Sequence, residues 1–300
     1  MKMKAFYLLA LLCCIAGCGK NNREVHIATK PMTEQFILGE MLGLLIEENT
    51  TLEPVITKGI GGGTSNIHPA LMKGEFDLYP EYTGTAWQVV LKNDTFLPAG
   101  AMFDKLERIY RDSLKLEWVG LYGFNNTYGL GVSKETAEKY GLKTISDLSK
   151  YPDLFTFGAE YDFFEINKGY RDLCDAYQLK FKKNMDMDIG LKYEAMKAGK
   201  IDVLNVFTTD GQLADAGLVI LEDDKKFFPS YFCGTVVRSE TLHDYPELKS
   251  VLLKMDGQLN DSIMASLNYQ VDKLGKTERE VAVDFLKSKG LLPKEKEYGK

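Results

Sequence analysis

Apolar and polar positions alternate over residues 24–29, EVHIAT, up to Lys30-Pro31, which predicts a first strand. Thr33-Glu34-Gln35 supplies a capping residue and an acid in a first turn, so a helix is expected from Thr33 to about residue 49. Its Ile37, Met41, Leu44 and Leu45 fall on one face, and the apolar run 42–46 points to deep burial. A second strand is expected near 54–57, and then the loop Gly59-Ile60-Gly61-Gly62-Gly63-Thr64-Ser65-Asn66 opens another helix. A helical stretch at 101–114 leads to a strand-like run at 116–123. The polar knot Phe124-Asn125-Asn126-Thr127-Tyr128 and a β-like run to Val132 follow.

From Ser133 the texture restarts. A helix at 134–140 stops at Gly141, Ser146-Asp147-Leu148 caps a further turn, and 155–159 reads as a strand entering a helix at Glu160-Tyr161-Asp162-Phe163-Phe164. A strand at 218–221 precedes a second β-like run at 235–238. Beyond Ser239 the pattern is helical, at 245–255, 257–272 and 278–287, with Val281, Phe285 and Leu286 as a core-facing stripe.

One stretch occurs twice. ALMKGEFDLYPEYTGT at 70–85 aligns without a gap on AMKAGKIDVLNVFTT at 195–209, pairing Gly74 with Gly199, Asp77 with Asp202, Tyr82 with Phe207 and Thr83 with Thr208. Each copy reads as a helix end, a glycine stop, a short strand and a turn opened by an aromatic ring. The ordinary helix-glycine-strand grammar of α/β chains produces such matches by chance as well. Two similar α/β lobes are the expected architecture, one from residues 24–127 and 232–300 and the other from 128–231. The two crossings between them would permit hinge closure over a ligand.

The length of 300 residues suits two cores, and 45% apolar with 27% charged residues is a globular composition. Net charge is −6, and about −8 once Lys2 and Lys4 leave with a leader, which argues against a nucleic-acid partner. Residues 1–4 are short and basic, 5–15 are apolar, and Ile15-Ala16-Gly17-Cys18 follows. That ending resembles the lipobox of bacterial lipoproteins, which implies cleavage of a signal peptide, residues 1–17, and a lipid on Cys18. An apolar run of about eleven residues is too short to span a bilayer. Residues 18–23 would then be a polar tether. Cys174 and Cys233 are left after Cys13, Cys14 and Cys18. Their spacing demands no bridge, and two buried thiols are expected. His26, His68 and His243 lack metal-ligand spacing, so no metal site or cofactor is expected.

The glycine-rich loop lacks the Gly-Lys-Ser/Thr ending of a phosphate loop and the spacing of a dinucleotide loop. Its backbone amides at a helix start are competent for an anion or another carboxylate. No nucleophile elbow, zinc-protease helix or paired-cysteine site occurs, and no carboxylate pair stands out among many. The rings of Tyr82, Tyr128, Phe207 and Tyr231 all fall at turns or crossings beside the expected cleft. Rings around a pocket attract a cation with no N–H to donate, at roughly 2 kcal/mol or more per well-placed, desolvated ring. Taken by themselves, four such rings are more simply accounted for as ordinary core fillers, since buried aromatics are common.

Four motifs, Lys30-Pro31-Met32-Thr33-Glu34-Gln35, Asp77-Leu78-Tyr79-Pro80-Glu81-Tyr82-Thr83-Gly84-Thr85, Gly123-Phe124-Asn125-Asn126-Thr127-Tyr128 and Thr208-Thr209-Asp210-Gly211-Gln212, occur in this order. Together they resemble the substrate-binding lipoproteins of ABC osmoprotectant importers, the glycine betaine/carnitine/choline-binding family, from about Val25 to the last helix. The resemblance implies a periplasmic-binding-protein type II fold that closes on its ligand. It also implies a four-ring cage for a trimethylammonium head at Tyr82, Tyr128, Phe207 and Tyr231. Phe207 departs from the family's tyrosine; it keeps the π face and loses the hydroxyl. Gln35, Thr85 and Asn126 would meet the polar end of the ligand. Some choline-restricted relatives carry Asp in place of Thr85, and a neutral Thr suits a carboxylate-bearing ligand.

The expectation is therefore a lipid-anchored, monomeric solute-binding protein at the outer face of the cytoplasmic membrane or in the periplasm. It would deliver a quaternary-ammonium solute to an ABC permease and its ATPase, and would not be an enzyme. A choline-restricted or amino-acid importer subunit and a ligand sensor of the same fold are the rivals. An amino-acid binder would want Arg and Asp at the motif positions, and no such pair stands there.

Overall fold

The computed structural model describes residues 23–93, 95–160, 163–164, 168–187 and 189–299. The predicted signal peptide, Cys18 and all but the last tether residue lie outside the described residues, as do Tyr161 and Asp162 of the expected helix entry. The chain runs through β1 (Glu24–Ala28), α1 (Thr33–Asn49), β2 (Glu53–Thr57), α2 (Thr64–Met72), β3 (Leu78–Tyr82), β4 (Leu116–Asn125) and β5 (Tyr128–Ser133). It continues through β6 (Thr156–Ala159), β7 (Lys183–Asp186), β8 (Val203–Phe207), β9 (Leu218–Leu221) and β10 (Phe232–Arg238), and ends in helices.

The strands form two five-stranded mixed sheets, ordered β2-β1-β3-β10-β4 and β7-β6-β8-β5-β9. In each, the central strand is parallel to one neighbour and antiparallel to the other: β3 lies between β1 and β10, and β8 between β6 and β5. The doubled stretch is therefore structural, since both copies supply the central strand of their own sheet. Gly74 and Gly199 close the preceding helices at φ of 78° and 64°, a left-handed geometry that a side chain would strain. Asp77 then accepts from the His26 amide, and Asp202 from the Thr156 amide, each at 2.8 Å. The carboxylate of each copy thus ties the central strand to its parallel neighbour.

Each sheet is packed on both faces, as parallel pairing with helical crossovers requires. β3 is buried along its whole length. The first lobe's main core joins α1 to the C-terminal helices through Leu38, Met41, Leu45, Met264, Val281 and Phe285. Helix α1 is buried from Glu34 to Ile46 except at the half-buried Phe36, which is the deep burial that the run 42–46 points to and extends beyond the single face of Ile37, Met41, Leu44 and Leu45. Its solvent side is taken by the helices Asp261–Asp272 and Glu278–Ser288, which return from the far end of the chain.

Several local expectations shift. Met32, with no side-chain cap, precedes α1, and Thr33 instead donates from Oγ1 to Asp272 Oδ1 at 2.7 Å. The turn after Gly141 is capped by Thr144 with Asp147, because a short box there also satisfies the Lys143 and Thr144 amides. The helix expected at 101–114 is Ala99–Ile109 with a wider turn at Tyr110–Leu114. The one expected at 257–272 starts at Asp261, where Asn260 caps the Ile263 amide at 2.8 Å. Residues 257–259 are held against β4 instead, through amides that donate to the Leu121 and Tyr122 carbonyls. Cys174 and Cys233 carry free thiols; Cys233 is buried in the first lobe, whereas Cys174 on the second is only partly covered. The helix that holds Cys174 (Tyr170–Tyr177) lies over the sheet by Leu173 and Tyr177, which leaves its next position toward the rim.

Candidate functional site

Strand ends aim the rings. Tyr82 is the last residue of β3, and the chain then turns at once into the helical turn Thr83–Thr85. Its ring is 5% exposed, and its hydroxyl donates to Glu34 Oε1 at 2.5 Å. Burial, reinforced by the Glu34 carboxylate, pushes that hydroxyl far above the ordinary tyrosine range. In the second lobe Phe207 ends β8 directly opposite Tyr128, which begins β5. Their rings lie 4.7 Å apart at 33°, and Tyr128 is backed by Phe163 at 5.1 Å. Tyr231 rides on the return crossing, its hydroxyl donating to Gln88 Oε1 at 3.1 Å. Gly84 is the reason it fits: a Cβ at that position would stand 2.5 Å from Tyr231 Cε1.

The crossings are stitched together. The Tyr231 amide donates to Asn125 Oδ1 at 2.6 Å, the Asn126 amide to the Tyr231 carbonyl at 3.2 Å, and the Thr127 hydroxyl to the Pro229 carbonyl at 2.7 Å. Thr208 joins the same knot, donating from Oγ1 to the Asn125 carbonyl at 2.6 Å. The four rings, with Met32, Thr85, Asn126 and Thr127, line a cavity of about 250 Å³ beside these crossings. A larger cavity of about 340 Å³ by Lys276, Arg279 and Tyr298 lacks such convergence, since Arg279 is paired with Glu40 and Glu47 and Lys276 with Asp284.

Behind the rings lies a buried polar layer. Lys30 Nζ stands 4.5 Å from the Tyr82 ring centre and is ion-paired with the fully buried Glu81. In the other lobe Lys192 Nζ stands 5.9 Å from the Phe207 ring centre and is paired with Glu160 at 2.9 Å. Each lysine is thus neutralised by its own carboxylate and adds no net charge against a cationic ligand. Glu34, 3% exposed, accepts from Tyr82, from Asn126 Nδ2 at 3.0 Å and from Asn268 Nδ2 at 3.4 Å. Desolvation raises its pKa, and these donors together with Thr209 work against the rise.

Of the residues singled out in the sequence, Tyr82, Thr85, Asn126, Tyr128, Phe207 and Tyr231 line the one cavity. Gln35 does not; it is fully buried one layer back, where its Oε1 accepts from the Lys30 amide at 3.4 Å. The glycine-rich loop does not line the cavity either, and Gly63 packs near the Lys30 side chain. Met32, Glu34 and Thr127 stand in the quoted motifs with no site role read for them, and Asn268 was not singled out. Glu34 carries the signature of an ordinary first-turn acid, and Asn268 that of a polar helix residue, so neither stands out without the contact between them.

A family model described as the substrate binding domain of the ABC-type glycine betaine transport system matches residues 23–288. The chain belongs to that family. The ergothioneine transport permease/ergothioneine binding protein of Helicobacter pylori is 49% identical over 90% of this chain, and this chain spans about half (48%) of that protein's length. The carnitine transport binding protein of Listeria monocytogenes is 33% identical, over 91% of this chain and 90% of its own. A crystal structure of a glycine betaine/carnitine/choline ABC transporter superposes with a TM-score of 0.85 at 33% identity, covering 89% of this chain and 98% of that one. The fold is accordingly the expected type II arrangement of two α/β lobes. Family members of this kind are substrate-binding proteins, not enzymes. No described helix is long and apolar enough to cross a membrane.

Proposed function

We propose that this glycine betaine-family domain is the extracytoplasmic binding subunit of an ABC importer and that it takes a trimethylammonium zwitterion into its ring-lined cavity. One observation carries the reading: four aromatic side chains, from the end of β3, the start of β5, the end of β8 and the return crossing, line a single slot of about 250 Å³. A methylated ammonium has no N–H to donate, so ring faces are its natural non-charged contact, at roughly 2 kcal/mol or more per desolvated ring. The zwitterions named for the relatives, carnitine, glycine betaine and ergothioneine, share that head. The neutral Thr85 favours a carboxylate-bearing ligand over choline.

On this reading the lobes, 24–127 with 232–300 and 128–231, close about the two crossings and desolvate the cation. Gln35, Thr85 and Asn126 serve the polar end, Gln35 through its neighbours. A lipid on Cys18 holds the monomeric chain at the outer face of the cytoplasmic membrane or in the periplasm, where it meets the permease. The test is calorimetry on Tyr128→Ala and Tyr231→Ala with ergothioneine, carnitine and glycine betaine. Each variant is expected to bind its best ligand roughly tenfold or more weakly. Unchanged affinity in both variants for every ligand would reject the cage.

A further inference from the structure

Two of the rings have a charged pair behind them. In the first lobe Lys30 follows the end of β1, and its Nζ stands 4.5 Å from the Tyr82 ring centre while paired with Glu81. Glu81 is saturated with donors: it accepts from the Thr64 hydroxyl at 2.7 Å, the Tyr79 hydroxyl at 3.0 Å and the Tyr82 amide at 2.6 Å. In the second lobe Glu160 follows the end of β6, and Lys192 comes from the helix Ile189–Lys197. Lys192 Nζ donates to Glu160 Oε2 at 2.9 Å and to Asn205 Oδ1 at 3.2 Å, and Asn205 Nδ2 donates to Glu160 Oε1 at 2.8 Å. That Nζ stands 5.9 Å from the Phe207 ring centre. Lys30 is 5% and Lys192 0% exposed and neither lines the cavity, so each ammonium meets its ring from the protein side.

The repeat of the two lobes does not account for this. The alignment that pairs Tyr82 with Phe207 sets Glu81 against Val206. The charges are also reversed in order, since a lysine follows β1 and a glutamate follows β6. The same arrangement is thus reached from different residues. Stability does not account for it either, because an apolar pair of similar volume serves a core as well as a buried ion pair. An ammonium behind a ring does act on the front face. It draws on the quadrupole that a bound cation uses, and it repels that cation through the ring. A lone charge about 10 Å away, at the effective dielectric of a protein site, changes a cation's affinity by roughly tenfold. The paired carboxylate removes that penalty.

We infer that Glu81 and Glu160 are positioning residues that act through the rings: by cancelling Lys30 and Lys192 behind Tyr82 and Phe207, they let the cage tell a methylated ammonium from an uncharged group of the same shape. The inference rests on the cage reading of the cavity. Neither glutamate is a ligand contact, since neither lines the slot. The lysines support the rings from behind, and the glutamates set the potential in front of them. The glycine-rich loop is tied to the first pair, through Gly63 beside the Lys30 stem and Thr64 on Glu81.

The experiment is calorimetry at about pH 6, on the acid side so that a lysine stripped of its carboxylate keeps its proton. The probes are glycine betaine, carnitine and the tert-butyl analogue of each, in which carbon replaces the ammonium nitrogen. The carboxylate is common to both members of a pair, so their affinity ratio isolates the cation. The chains are the wild type, Glu81→Gln, Glu160→Gln and the double variant Lys30→Met with Glu81→Gln, with thermal melts to confirm folding. The wild type is expected to favour the ammonium form about a hundredfold or more. Glu81→Gln should cut that ratio roughly tenfold, and Glu160→Gln somewhat less because its lysine stands farther from its ring. The double variant should restore the ratio to within about threefold of wild type. A merely structural role would weaken both members alike and keep their ratio. A ratio unchanged in both glutamate variants, or one that the double variant does not restore, would overturn the inference while the cage stands. A wild type that holds the tert-butyl analogues as tightly as the betaines would instead remove the cage beneath it. Should Glu81→Gln fail to fold, Glu160→Gln alone and combined with Lys192→Met decides in its place.

Discussion

Gly84→Ala is the sharpest probe of how the motif around Tyr82 works. Residues 83–85 form a helical turn in which Gly84 has an ordinary backbone conformation, so alanine is acceptable there and mildly favoured by propensity. What it meets is the neighbouring crossing. The new Cβ would lie 2.5 and 2.6 Å from Tyr231 Cε1 and Cδ1 and 2.8 Å from the Ser230 carbonyl oxygen. Carbon atoms rest about 3.5–4.0 Å apart, so the ring must retreat by about an ångström. The crossing resists, since the Tyr231 amide is tied to Asn125 and the Asn126 amide to the Tyr231 carbonyl.

The ring therefore tips out of the slot, and one desolvated cation–π contact of about 2 kcal/mol is lost, roughly thirtyfold in affinity. Overpacking also costs about 1–3 kcal/mol of stability, to be read separately by thermal melting. Calorimetry with ergothioneine and carnitine on Gly84→Ala, Tyr231→Ala and the double variant measures the coupling. If Gly84 acts through the ring, it matters less than about twofold once the ring is gone. Affinity within twofold of wild type in the single variant, or an undiminished effect in the Tyr231→Ala background, would refute the reasoning.

Phe207→Tyr is expected to change affinity by less than about fivefold, because the π face is common to both rings, and total loss of binding by calorimetry would contradict that. Gly211→Ala drives a Cβ to 2.8 Å from the Tyr269 amide nitrogen, wedging a second-lobe turn against a first-lobe helix. Affinity should fall several-fold with the rings intact, and small-angle scattering should show a more open chain in the presence of ligand; an unchanged scattering profile would count against the wedge. Burial pushes the Cys174 thiol up to about 11, so at pH 8 its thiolate is about a hundredfold scarcer than for a thiol at the ordinary value near 9. Alkylation by iodoacetamide should be slow at pH 8 and rise steeply above pH 10, and a rate matching a small thiol at pH 8 would exclude the shift.

Much of the architecture is written in local pattern. The alternation at 24–29, the glycine stops at 74 and 199 and the aromatic residues that open the following turns are set by steric and periodic rules acting within a few residues, so β1, β3 and β8 and the placement of Tyr82 and Phe207 were legible from the chain. The doubled stretch also carried the pseudo-symmetry of the two sheets, because the same local code yields the same central strand twice.

The polar chemistry was legible in part. Asn126 and Thr85 stand in motifs and reach the cavity, whereas Gln35 stands in a motif and stops one layer short. The reason is rotation about α1: adjacent residues point about 100° apart on a helix, and which of them faces the slot depends on how the helix is docked. That docking is set by the helices Asp261–Asp272 and Glu278–Ser288, far along the chain. It buries Glu34 where an exposed first-turn acid would be read, and it carries Asn268 to meet it.

Residue order alone determined most of the strands and which rings open the turns after them, though not the strand at Lys183–Asp186, since those features depend on near neighbours and backbone stereochemistry. Only the tertiary structure decided what lies behind the rings, because desolvation and buried ion pairs are properties of groups brought together from distant segments and have no counterpart in any local stretch.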